Sequence, residues 1–98
     1  MGTAHQSLGL AVQKARDQAK QILNLLEGQG HPDTGQSSAV YLALVTMQKR
    51  LQAADPPPPP VGAFAAQLVQ LAEDCTGKLS PVRALIEEAA RIAREAKP

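Results

Sequence analysis

Asp55-Pro56-Pro57-Pro58-Pro59-Pro60 decides how the rest of the chain is read. Each proline lacks a backbone N–H and holds φ near −65°, so the run belongs neither inside a helix nor in a paired strand. Two helical patterns precede it and two follow. In polyproline II geometry each residue advances about 3.1 Å, so the prolines span roughly 15 Å, against about 8 to 10 Å between neighbouring helix axes. A stretch of that reach is expected to cross the end of a bundle as a stiff strap. Pro56, Pro57, Pro58, Pro59 and Pro60 are the candidate hinge, which starts at Asp55.

Before the strap, Leu8, Val12, Ala15, Ala19, Ile22 and Leu26 recur at steps of three and four, the buried stripe of an amphipathic helix. Gly9 is expected to let the first turn fray, and Gly28 to stop the helix by taking the left-handed conformation. That places the first helix at about 7–27, and the Gly- and Pro-bearing segment after it reads as a loop. The second stripe is Val40, Leu44, Met47 and Leu51, flanked by Tyr41, Leu42 and Val45. Val40–Met47 alone would suit a buried strand. Its continuation through Gln48–Ala54 gives it helical length, at about 36–54, and its apolar girth predicts the most buried helix.

After the strap, Phe64, Leu68, Leu71 and Cys75 repeat the spacing over about 60–76, with Pro60 suited to a first helical position. Ser80 and Pro81 carry N-cap and first-turn chemistry for a last helix over about 80–96. Its stripe is Val82, Leu85, Ala89, Ile92 and Ala96, and Glu87 with Arg91 is expected to form an i, i+4 pair. Short connections make sequential helices antiparallel neighbours. The expected fold is all-α, a single-domain antiparallel four-helix bundle over 1–98, built as two helical hairpins joined by the polyproline strap. With 44% hydrophobic residues but only Tyr41 and Phe64 aromatic, its core must come from Leu, Ile, Val and Ala.

Charge narrows the function classes. Residues 1–55 carry five basic and four acidic groups, and residues 56–98 carry five of each, so neither half is a basic arm. Phosphate-backbone binding wants clustered cations and single strands want aromatic platforms; no nucleic-acid partner is expected. There is no continuous apolar run of membrane-spanning length and no basic, then apolar, leader pattern at the start. A soluble, cytoplasmic protein without a membrane partner is therefore expected. Gly2 offers only weak support for myristoylation, because His5 and Gln6 precede Ser7.

No catalytic or cofactor signature emerges. His5 and His31 lack acidic or thiol partners at helical ligand spacing, and no metal or cofactor is expected. Cys75 sits on an apolar stripe beside Glu73 and Asp74, whose charges raise a thiol pKa, so it reads as a core residue. Gly28-Gln29-Gly30 lacks the lysine and helix start of a phosphate loop. What remains is surface. Narrow Leu and Ala stripes leave shallow grooves that accept a partner helix through anchors three or four residues apart. Leu23, Leu25, Tyr41, Val45 and Ile86 are the candidate groove residues.

Val40-Tyr41-Leu42 in a helix, the proline break and Ser80-Pro81 before another helix resemble the early part of focal-adhesion-targeting bundles. Leu10-Ala11-Val12 and Ala19-Lys20-Gln21-Ile22-Leu23 are similar to their closing helix. That segment stands first here, so no individual binding residue carries over. The Ala-rich, aromatic-poor helices also resemble talin and vinculin rod bundles. The resemblance implies a scaffold domain that binds short leucine-rich amphipathic helices. The leading expectation is a non-enzymatic adaptor or scaffold module with a protein partner. The alternatives are a module that forms a homodimer by exchanging a hairpin across the hinge, and a proline run read by an SH3, WW or profilin-type module. An enzyme or metal protein is the remaining class.

Overall fold

The computed structural model describes residues 3–53 and 59–95, with side chains from His5 onward. Four α-helices are present among them: α1 Thr3–Gln29, α2 Thr34–Gln52, α3 Ala65–Asp74 and α4 Ser80–Glu95. Two 3₁₀ turns, Val61–Phe64 and Gly77–Leu79, lead into α3 and α4. The architecture is an all-α, antiparallel bundle. Its lateral order is α2, α1, α4, α3, with α1 packed on both α2 and α4, and α4 on α3.

Small side chains line the buried stripes of the two central helices, α1 and α4. Ala11, Ala15 and Ala19 on α1 and Ala89 and Ala93 on α4 are all buried, and interaxial distance follows the size of the contacting residues. The α2 and α3 stripes are larger, with Leu44 and Met47 on one and Phe64 and Leu68 on the other, all buried. Those two helices approach closely at few places; the Gln36 side-chain amide donates to the Asp74 carbonyl between them. The molecule is consequently flattened, measuring 44 × 24 × 16 Å. Its long dimension is essentially α1, whose 27 residues rise about 40 Å at 1.5 Å each. One hydrophobic core draws on all four helices, including Leu8, Val40, Leu68 and Val82.

The helix ends depart from expectation in instructive ways. α1 starts at Thr3 and runs straight through Gly9, because Leu8, Ala11 and Val12 are buried around it and outweigh the cost of about 1 kcal/mol for one glycine. Its first turn is also tied to the later chain, the His5 Nε2 lying 2.9 Å from the Pro59 carbonyl oxygen. At the other end Gly28 stays helical, and Gly30, at φ 63°, takes the left-handed position. The Gly30 N–H donates to the Glu27 carbonyl and the His31 N–H to that of Leu26, at 3.2 and 3.0 Å. These two bonds form a Schellman motif.

α2 starts at Thr34, whose hydroxyl donates to the His31 carbonyl at 2.7 Å, and the Asp33 carboxylate makes no cap bond. Pro60 is not the first residue of an α-helix. It has φ −54° and ψ 147° and precedes the 3₁₀ turn, whose period of about three residues puts Val61 and Phe64 on one side, where both are buried. Ser80 is the first residue of α4, and its hydroxyl donates backward to the Gly77 carbonyl at 2.8 Å. The strap falls on 55–60, of which Asp55, Pro56, Pro57 and Pro58 lie outside the described residues, as does Ala96. Pro59 and Pro60 are described, the first half-buried and the second exposed.

Candidate docking groove

α1, the longest helix, packs on α4 along a seam that carries two recesses. Leu10 and Leu25 are among the most exposed large apolar side chains on the molecule, at 60% and 65%, and both border this seam. Near the start of α1, a recess of about 320 Å³ is lined by Leu10, Ala11 and Lys14 and by Leu85, Glu88 and Ile92 of α4. Near the end of α1, a second recess of about 210 Å³ is lined by Ile22, Leu25 and Leu26 together with Lys78 and Pro81. Leu10 and Leu25 lie roughly 22 Å apart along a helix rising 1.5 Å per residue.

Electrostatics along the α4 edge are set by a local ion-pair ladder. Arg91 bonds Glu88 and, at 2.9 Å, Glu95, while Arg83 pairs with Glu87 at 3.4 Å. The expected Glu87–Arg91 pair is thus replaced by two others, because Arg91 reaches carboxylates three residues back and four ahead. The Arg91 hydrogen bond, helped by the charges of Arg91 and Lys14, holds the Glu88 carboxyl below its usual range. All these groups are exposed, where such pairs contribute little to stability. Of the ladder only Glu88 borders an α1–α4 recess, beside Lys14, while Arg83, Glu87 and Arg91 line the α3–α4 side.

The five expected groove residues do not share one groove. Leu23 is only 6% exposed, and Leu25 lies in the α1–α4 recess; two helical steps of about 100° put them on different sides of α1. Tyr41 and Val45 are half-buried on α2, with the Lys20 ammonium 5.1 Å from the Tyr41 ring centroid. Ile86 is fully buried in the core and borders no surface. Leu10, Leu85, Ile92 and Pro81 were not expected in a groove. Leu85 and Ile92 are on the expected stripe of α4, but flank its centre and so remain half-buried.

The other concave surfaces have a different character. Between α3 and α4, a recess of about 510 Å³ is lined by Glu73, Glu87, Arg83, Arg91 and Arg94. Where α1 begins and α2 ends, one of about 640 Å³ is lined largely by glutamines with His5, Leu10 and Leu51. Neither repeats along a seam as the α1–α4 recesses do.

The titratable residues considered for chemistry have structural surroundings. His31 accepts the Asp33 N–H at Nδ1, 3.1 Å away. Cys75 is a free, buried thiol whose pKa is pushed up to about 11, first by burial and then by the Asp74 charge. Burial thus outranks the neighbouring acids, and Glu73 is not among the causes. Among the described residues no group of three or more His, Cys, Asp or Glu is placed to hold a metal ion, and no helix is long and apolar enough to cross a membrane. Comparison with family models, curated proteins and solved structures finds no match for the chain. Function is therefore read from the surface itself.

Proposed function

We propose that the chain is a non-enzymatic adaptor or scaffold module whose α1–α4 groove binds an amphipathic helix of a partner protein. The observation that carries this reading is the pair of exposed leucines, Leu10 and Leu25, each bordering its own apolar recess on one seam. A helix laid along the seam covers both recesses with anchors about 15 residues apart, since it shares the 1.5 Å rise of α1. Full burial of a leucine is worth about 1.5–3 kcal/mol, and more than half of each side chain is still exposed. That gain competes with the cost of association and helix ordering, so the partner is a transient one. The charged rim, with Lys14 and Lys78 on one recess each, orients the incoming helix more than it holds it. A cytoplasmic, reducing setting accords with the unpaired buried thiol of Cys75.

Titration of the ¹⁵N-labelled chain with amphipathic peptides carrying leucine anchors at that separation tests the reading. Amide shifts are expected in one band including Leu10, Lys14, Leu25, Leu85 and Ile92. Loss of that band in a Leu10→Asp, Leu25→Asp variant of unchanged helicity is the second expected result. Shifts confined to α2, or scattered over the molecule, would overturn it.

A further inference from the structure

The two ends of the α1–α4 groove are unlike in charge. At the start of α1, Lys14 and Glu88 border the same recess. The Glu88 carboxyl is held below its usual range by its hydrogen bond to Arg91 and, further, by the charges of Arg91 and Lys14, so that end carries cation and anion together. At the end of α1, the recess floored by Ile22, Leu25, Leu26 and Pro81 has Lys78 on its rim, with Gln18 and Gln29 and no acidic residue. Lys78 is exposed, and among the described residues no carboxylate lies within ion-pair distance of it. Glu27 follows Leu25 by two residues, about 200° around α1 from it.

We infer that the partner helix is acidic at one end: it sets a carboxylate over Lys78, one turn outward from the anchor seated beside Leu25, and so docks in a single direction. The inference rests on the α1–α4 groove being the docking site. Charge complementarity selects this chemistry. A helix covering the Leu25 recess takes water away from the Lys78 ammonium, and a cation desolvated without a counter-ion opposes binding. A carboxylate opposite it offsets that loss, whereas a lysine there is repelled.

The position of the carboxylate follows from chain direction. The end of α1 meets the start of α4, and the start of α1 meets the later part of α4. Lys78, which precedes Pro81, therefore lies farther from the groove's centre than the recess floor. The Leu10 recess makes no such demand, because Glu88 already stands beside Lys14. A helix with one acid-flanked anchor thus seats that anchor at Leu25 and the other at Leu10. The reverse orientation leaves Lys78 unmatched and brings the acid toward Glu88.

Peptides with two leucine anchors about 15 residues apart, bearing Glu, Gln or Lys one turn outside one anchor, test the inference on the intact chain. By fluorescence anisotropy at low ionic strength the Glu peptide is expected to bind about threefold more tightly than the Gln peptide and about tenfold more tightly than the Lys peptide. Added salt should shrink both differences. Lys78→Glu, with far-UV circular dichroism unchanged, should reverse the order. A nitroxide at the acidic end of the Glu peptide should broaden the amides of Leu25 and Lys78 and spare those of Leu10 and Ile92. Peptides that bind the groove with equal affinity, or that broaden both ends alike, would overturn the inference and leave the groove as the docking site. An amide-shift map in which none of the three peptides perturbs the groove would overturn both.

Discussion

Ala89→Leu examines how closely the core around the α4 alanine stripe is packed. Ala89 is fully buried at the centre of the α4 stripe, and α4 packs on both α1 and α3. Leucine adds three carbons, and free accommodation would gain about 0.8 kcal/mol for each. The site offers no such room, because Ala89 is fully buried and cores are packed to crystal-like density. Overpacking typically costs about 1–3 kcal/mol net. A loss of about 2 kcal/mol in a domain of this size lowers the melting temperature by roughly 10 °C. Ala84→Leu, at an exposed position of the same helix, is the control and should stay within about 0.5 kcal/mol of the parent. Urea melts followed by far-UV circular dichroism should show a lower midpoint for Ala89→Leu at unchanged slope. An unaltered or raised midpoint would refute close packing around the α4 alanine stripe.

Gly28→Ala and Gly30→Ala should have opposite signs in the same assay. Gly28 is helical with open space at its Cβ, so alanine gains about 0.5–1 kcal/mol, whereas Gly30 at φ 63° loses about 1 kcal/mol or more. The Ser37 hydroxyl is fully buried and has no hydrogen-bond partner among the described residues; Ser37→Ala should stabilise by about 1 kcal/mol on removal of that unmet group, measured as a higher urea midpoint. Cys75 should resist thiol-specific labelling in the native state near neutral pH and react after denaturation. Its pKa rises from 9.0 to about 11 on folding, so its stabilising contribution is complete below pH 9.0 and is lost as pH climbs toward 11. Above pH 9.0 the unfolded thiol ionises first, and Cys75→Ala should flatten that part of the stability–pH curve.

Helix number, type and buried stripe were legible because steps of three and four persist through all four segments: Leu8–Leu26, Val40–Leu51, Phe64–Leu71 and Val82–Ala93 supply the core in register. Helix ends were less so. Gly28 and Gly30 are equally plausible stops by residue type, and only the bonds to Leu26 and Glu27 choose between them. The 3₁₀ turn at Val61–Phe64 was hidden for a similar reason, since Phe64 fits a four-step stripe as well as a three-step one. The groove was read least well. Leu23 and Leu25 are separated by helical geometry that the sequence contains, but which sides α2 and α4 take is decided by tertiary packing. The lateral order is a property of paired helices that no single stripe reveals.

The most direct measurement of the α1–α4 groove as a docking site is the amide-shift map of the ¹⁵N-labelled chain with an amphipathic peptide bearing two leucine anchors about 15 residues apart. The account predicts one continuous band running from Leu10 and Ile92 at one recess to Leu25 and Lys78 at the other, abolished by Leu10→Asp with Leu25→Asp. A saturable interaction that leaves that band unperturbed, or that persists in the double variant, would contradict it.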